Sequence, residues 1–166
     1  MPSQRCRKVL KAFLMITASI IAVLASFQVI KFVFGTSSPF CVVVSPSMYP
    51  TLKIGDFLIV KSTAPSELKV GDIIVFHNPL NPEELTVHRI VAIIRKNGKS
   101  FFKTKGDANA WNDPWIVSEE LIEGKVEHVI PYVGFITIAL QPPINYILMA
   151  LLIVMIVLSE ILGSSE

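Results

Sequence analysis

A mainly β domain carried between two apolar helices that cross a membrane is the fold the sequence predicts, and three observations predict it. Two uncharged stretches of bilayer-spanning length lie near the ends of the 166-residue chain. Short β-branched and aromatic runs fill the segment between them. The third observation is the charge pattern. Residues 1–35 hold five Lys/Arg and no acid, residues 36–143 hold ten bases and eleven acids, and residues 144–166 hold two acids and no base. Apolar residues make up 52% of the chain and charged residues 17%. Soluble domains carry about 25% charged residues, so neither a disordered chain nor one wholly solvated by water fits. Nucleic-acid binding is disfavoured because the central segment is close to neutral. Two cysteines build no disulfide framework, and no Cys/His cluster has zinc-ligand spacing.

In chain order, residues 1–11 form a basic tail and residues 12–34 a membrane anchor. The uncharged core of that anchor, residues 12–30, spans roughly 28 Å as a helix, close to a bilayer's hydrocarbon thickness. Arg5, Arg7, Lys8 and Lys11 precede it and hold the N-terminus in the cytoplasm. The run exceeds the apolar core of about 7–15 residues found in cleavable signals, which favours an uncleaved signal-anchor. Residues 35–143 are expected to form a β-rich domain on the far side of the membrane. Residues 56–61, 70–76, 86–95 and 100–105 read as strands. Lys96-Asn97-Gly98-Lys99 joins the last two, and Asn-Gly is a strong hairpin signal. Residues 126–130 and 132–140 read as further strands divided by Pro131. After the stop at Pro142-Pro143, residues 144–162 form a second candidate span, with monotopic insertion or packing against a partner helix as the competing reading. Residues 163–166 are a tail. Cys6 is expected in the cytoplasm and Cys41 outside, so the two do not pair within one chain.

Chemistry concentrates in Val42-Val43-Val44-Ser45-Pro46-Ser47-Met48-Tyr49-Pro50-Thr51-Leu52. An apolar strand enters a turn fenced by two prolines, which bias Ser45 and Tyr49 towards extended backbone. Two hydroxyls two residues apart then stand at a strand end. On these residues alone a plain Ser/Pro turn is the favoured reading of the segment. Of three histidines, His77 reads as a solvated turn residue, His128 as structural, and His88 lies inside a long strand. Asp107 and Asp113 stand six residues apart in ordinary turn pairs with Gly106 and Pro114, while Asp56 and Asp72 read as turn residues ahead of strands. Lys103 and Lys105 share a strand face; a lysine base would require burial that lowers its pKa.

The order of these segments resembles the type I signal peptidases. Ser45-Pro46-Ser47-Met48-Tyr49-Pro50-Thr51-Leu52 is similar to that family's serine box. Gly71-Asp72-Ile73-Ile74-Val75-Phe76, Val87-His88-Arg89-Ile90, Lys105-Gly106-Asp107-Ala108-Asn109 with Asn112-Asp113, and Pro131-Tyr132-Val133-Gly134 follow in the family's order. Histidine in place of the bacterial lysine marks the archaeal and endoplasmic-reticulum type. The resemblance implies Ser47 as nucleophile, His88 as general base, Asp113 as the carboxylate that orients the imidazole, and Asp107 as an accessory bracing the loop or Arg89. Proline replaces the usual glycine at Pro46 and removes an N–H, which leaves the Ser47 N–H and the Ser45 hydroxyl as oxyanion donors. It further implies a serine endopeptidase that removes signal peptides from secretory precursors without metal or cofactor. Such enzymes recognise small residues one and three positions before the cut, with Val42, Val44, Leu58 and Ile74 as apolar walls here. Implied partners are signal peptides, the lipid bilayer, and the export channel or accessory subunits. The implied location is the cell membrane, or the endoplasmic-reticulum membrane, with the catalytic domain on the extracytoplasmic or lumenal side. Three rivals compete: a non-catalytic membrane-tethered β-subunit that scaffolds a signal-processing or secretion complex, a self-cleaving relative of LexA-type repressors, and a lipid- or ion-handling membrane protein.

Overall fold

The computed structural model describes residues 4–141 and 144–163. The proline pair at 142 and 143 and the tail after residue 163 lie outside the described residues. Helix α1, Gln4–Phe34, runs 31 residues, so the basic tail from Gln4 onward and the apolar stretch form one helix. Within it Ile16–Phe34 is long and apolar enough, by length and composition, to cross a membrane, and none of it is buried against the rest of the molecule. Gly35, at φ +65°, turns the chain out of the helix, a backbone geometry that suits a residue without a Cβ.

The central segment is one seven-stranded antiparallel sheet. Its strands are β1 Phe40–Val42, β2 Phe57–Lys61, β3 Ile73–Asn78, β4 Asn81–Lys96, β5 Lys99–Lys105, β6 Val117–Ser118 and β7 Ile122–Ile130, in spatial order β1-β2-β7-β3-β4-β5-β6. The last strand in sequence thus inserts between β2 and β3 and ties the two halves together. The Asn97-Gly98 hairpin forms as expected: both residues have positive φ, 52° and 76°, and Lys96 pairs with Lys99. Alternation is clean on β5, where Ser100, Phe102 and Thr104 are buried between more exposed neighbours. Two apolar clusters form the core. One holds Val43, Met48, Leu52, Leu58, Val60 and Val75 beneath the serine turn. The other holds Leu68, Ile74, Phe76, Ile90, Phe102 and Val117.

One expected strand is a helix instead. Residues 132–140 form a turn and then α2, Gly134–Ala139. After Pro131 the chain breaks from β7 at Tyr132, whose φ is +64°. The Gly134 N–H then donates to the Gly55 carbonyl at 2.9 Å. At Gly134 an added Cβ would lie 2.5 Å from Val42 Cγ1 and 2.8 Å from the Gly55 oxygen, so the backbone itself is the packed surface. The β-branched composition that suggested a strand expresses a packing preference, which this segment meets by packing against β1 at Val42. Helix α3, Ile144–Gly163, follows, with Ile147, Leu151 and Met155 each more than half exposed.

Candidate active site

The serine turn is built on the end of β1. Ser45 (φ −127°, ψ 155°) and Tyr49 (φ −64°, ψ 142°) are both extended, as the prolines after them require, and Pro46–Met48 between them forms a single 3₁₀ turn. Met48 and Leu52 are each 1% exposed, anchoring the turn to the core while Ser45 and Ser47 stay at the surface. The Ser45 and Ser47 hydroxyls are 3.2 Å apart.

His88 sits on β4, opposite Ile74 of β3, and is buried to 6% exposure. Its Nδ1 meets Asp113 Oδ2 at 2.7 Å, and Asp113 is 5% exposed. Thr104 of β5 holds Asp113 twice: its hydroxyl donates to Oδ2 at 2.6 Å, and the Asp113 N–H donates to the Thr104 carbonyl at 2.9 Å. Phe76 packs edge-on against the imidazole, with ring centroids 6.4 Å apart. Burial is the largest single influence on Asp113 and pushes its carboxyl up. The hydrogen bonds from His88 and Thr104, with the charges of His88 and Lys103, together outweigh it and leave the group below the usual carboxylate range. A carboxylate so held stays ionised at neutral pH and fixes the protonated Nδ1 of the ring, leaving Nε2 free to accept a proton.

Gly106 brings this pair to the serine turn. A Cβ at Gly106 would lie 2.6 Å from the Ser47 carbonyl oxygen, 2.7 Å from the Asn109 side-chain nitrogen and 2.9 Å from His88 Nε2. The Nε2 edge of the imidazole and the Ser47 backbone therefore converge on one notch that only glycine fits. The Ala108 N–H donates to the Ser47 carbonyl at 2.9 Å and closes the loop against the turn. The Ser47 hydroxyl is directed at Ser45 and makes no hydrogen bond to His88 in this state. Such contacts are often loose in a free enzyme.

Asp107 occupies a different position, facing Arg89. Arg89 Nε and Nη2 reach its two carboxylate oxygens at 2.8 and 2.6 Å, and the Thr51 hydroxyl donates at 2.6 Å. The Arg89 hydrogen bond is the main reason its carboxyl lies below the ordinary range. The network bolts the loop after β5 to the serine turn and, through Arg89 Nη1 on the Gly71 carbonyl at 2.7 Å, to the approach to β3.

Beside Ser45 and Ser47 lies a cleft of about 130 Å³ between the strand end at Val42–Val44 and the β4 stretch Glu84–Val87. Val42 and Val44 line it; Leu58 and Ile74, expected as walls, are fully buried in the two cores instead. His77 is not a solvated turn residue: its Nε2 meets Glu123 Oε1 at 2.9 Å and its Nδ1 meets the Pro82 carbonyl at 2.7 Å. His128 is exposed on β7, opposite Ile59. Lys103 and Lys105 flank Thr104, which faces Asp113, so by alternation they face away from it. Thr104 and Gly106 were missed by sequence reasoning. The only signal for Thr104 was its place on the buried face of a short alternating strand. Among the described residues no cluster of His, Cys, Asp and Glu is arranged to hold a metal ion.

Residues 10–94 match the family described as signal peptidase, peptidase S26. The chain belongs to this family. That match takes in Ser45, Ser47 and His88 and ends before Asp107 and Asp113. The chain is similar to the signal peptidase complex catalytic subunit of Homo sapiens, 32% identical over 129 residues, covering 71% of this chain and 66% of that protein. It is also similar to the subunit of that name in Schizosaccharomyces pombe, 32% identical over 150 residues (74% of this chain, 79% of the relative). The corresponding subunit of Lachancea thermotolerans is 37% identical over 120 residues (66% and 70%). The chain thus spans 66% of the length of the mammalian relatives it matches. Within the signal peptidase family, this chain places a buried His–Asp pair beside a surface serine.

Proposed function

We propose that this chain is a membrane-anchored serine endopeptidase that removes signal peptides from secretory precursors at the extracytoplasmic or lumenal face of a membrane. The observation that carries the reading is the buried His88–Asp113 pair, whose free Nε2 shares the Gly106 notch with Ser47. In the reaction the Ser47 side chain turns from Ser45 towards His88. The Ser47 hydroxyl proton passes to Nε2 as the oxygen attacks the scissile carbonyl carbon. Asp113 stabilises the imidazolium, which then protonates the departing amine, and water repeats the sequence to free the acyl-enzyme. Ser47 is the second residue of its 3₁₀ turn, where N–H groups lack a partner within the turn. Since Pro46 has no N–H, the Ser47 N–H and the Ser45 hydroxyl supply the oxyanion contacts. Asp107 acts at one remove, holding the loop through Arg89.

Location follows from the anchor. Ser47 lies only seventeen residues beyond Ile30, which keeps the site near the membrane surface, where a precursor held by its own apolar segment presents its cleavage site. The chain further crosses the membrane a second time through α3, works without metal or cofactor, and assembles with accessory subunits, as the names of its relatives imply for them. The test is cleavage of a signal-bearing precursor by the purified full chain in detergent, wild type against Ser47→Ala. The variant is expected to lose at least about a thousandfold in rate. Near-normal cleavage by Ser47→Ala overturns the reading.

A further inference from the structure

The cleft beside Ser47 has a feature that the reaction does not use. Glu84 is the one ionisable residue lining it; the rest of the wall is apolar or hydroxyl-bearing. Glu84 is exposed, and no hydrogen bond or ion pair engages its carboxylate among the described residues. An unpaired charge at the rim of a narrow, largely apolar cleft acts on whatever enters that cleft.

Its position along β4 is also fixed. The β3–β4 ladder is regular from Ile74↔His88 to His77↔Leu85, and Glu84 is the next residue of β4 beyond it. Four residues of strand place Glu84 about 13 Å from His88 along β4. Beyond Leu85 the register breaks, and Asn78 pairs next with Asn81, so residues 82–84 form an arm without β3 partners. This arm is held from the side by His77, through Nδ1 to the Pro82 carbonyl at 2.7 Å. The other His77 nitrogen meets Glu123, which also accepts hydrogen bonds from the Thr36 and Ser37 hydroxyls just after α1. Glu84 thus sits on a braced arm.

An extended peptide has the same repeat as the strand beside it. Resting on the proposed signal-peptide cleavage, with the residues before the cut in this cleft, the fifth residue before the cut lies as far from the scissile bond as Glu84 lies from His88. We infer that Glu84 is a specificity determinant that reads the charge of that fifth residue, favouring Lys or Arg and disfavouring Asp or Glu.

The experiment uses the full chain in detergent and three precursors identical except for Lys, Ala or Glu at the fifth position before the cut. The wild type is expected to prefer Lys over Glu by about tenfold in kcat/KM at low salt, with the ratio shrinking at high salt. Glu84→Gln should bring the ratio near one, and Glu84→Lys should invert it. As Glu84 is exposed and unpaired, both variants should unfold at the wild-type temperature. An unchanged ratio in Glu84→Lys, with the Ala precursor still cut in a Ser47-dependent manner, overturns the inference and leaves the enzymatic reading standing. No Ser47-dependent cleavage of the Ala precursor overturns both.

Discussion

His88 and Asp113 are useful at their positions because neither is free to do anything else. Burial would ordinarily keep a carboxyl protonated, but Asp113 accepts two strong hydrogen bonds on one oxygen, from His88 and Thr104, and stays ionised. Removing it should cost more than removing Asp107, which touches Arg89 and Thr51 rather than the imidazole. Precursor cleavage by Asp113→Ala is therefore expected to fall further in kcat than cleavage by Asp107→Ala, and the reverse order would exchange their roles. Thr104→Val removes a hydrogen bond to a charged group, a loss of roughly 1.5–3 kcal/mol that thermal denaturation would register. The acid side of the stability curve follows from the same residues. Asp107 and Asp113 both have folded pKa values below the unfolded one of about 3.9, so their contribution is complete above that pH and fades as pH falls through the lowered folded values. Asp107→Asn should show a shallower loss of Tm over that acidic range than the wild type.

At the level of elements, close approaches of backbone position the site. Gly106→Ala would drive a Cβ into the Ser47 carbonyl and the His88 ring together, and a displacement of that size should lower cleavage by about a hundredfold or more. Gly98→Ala, at φ +76° in open space, strains only the hairpin and should cost about 1 kcal/mol of stability with activity retained. The link between β3, β7 and the exit of α1 is expected to depend on pH. Both His77 nitrogens face acceptors, Glu123 and the Pro82 carbonyl, which raises the imidazole above its usual pKa, and Glu83 adds to the effect. For a raised pKa the stabilisation is full below the unfolded value of about 6.5 and disappears as pH climbs past the folded one. The wild type should lose Tm relative to His77→Gln between mildly acidic and mildly alkaline buffer. Equal slopes would show that the link contributes nothing.

For the whole molecule, α1 is the one helix among the described residues that is long and apolar enough, by length and composition, to cross a membrane, and the proposed second crossing rests on α3. α1 and α3 leave the β domain with exposed apolar side chains, so a chain that crosses twice has both termini on the same side of the membrane. A reporter fused at the C-terminus should therefore show the same sidedness as one at the N-terminus, and opposite sidedness would limit the chain to a single crossing. The insertion of β7 between β2 and β3 also matters at this scale. It brings Glu123 to His77 and, through the β3–β4 pairing, fixes β4 beneath the serine turn.

Local chemistry in the sequence determined the apolar ends, the Asn97-Gly98 hairpin, the extended backbone at Ser45 and Tyr49, and the short strands, because each depends on neighbours within a few residues. The order of serine, histidine and aspartate segments identified the family for the same reason. Tertiary structure alone decided that residues 134–139 are helical, that Leu58 and Ile74 serve the core and not the cleft, and that His77 is a brace. It alone brought Thr104 and Gly106 to the His88–Asp113 pair. These outcomes depend on which strand pairs with which and on where one backbone lies against another, contacts between residues far apart in the chain that no local pattern records.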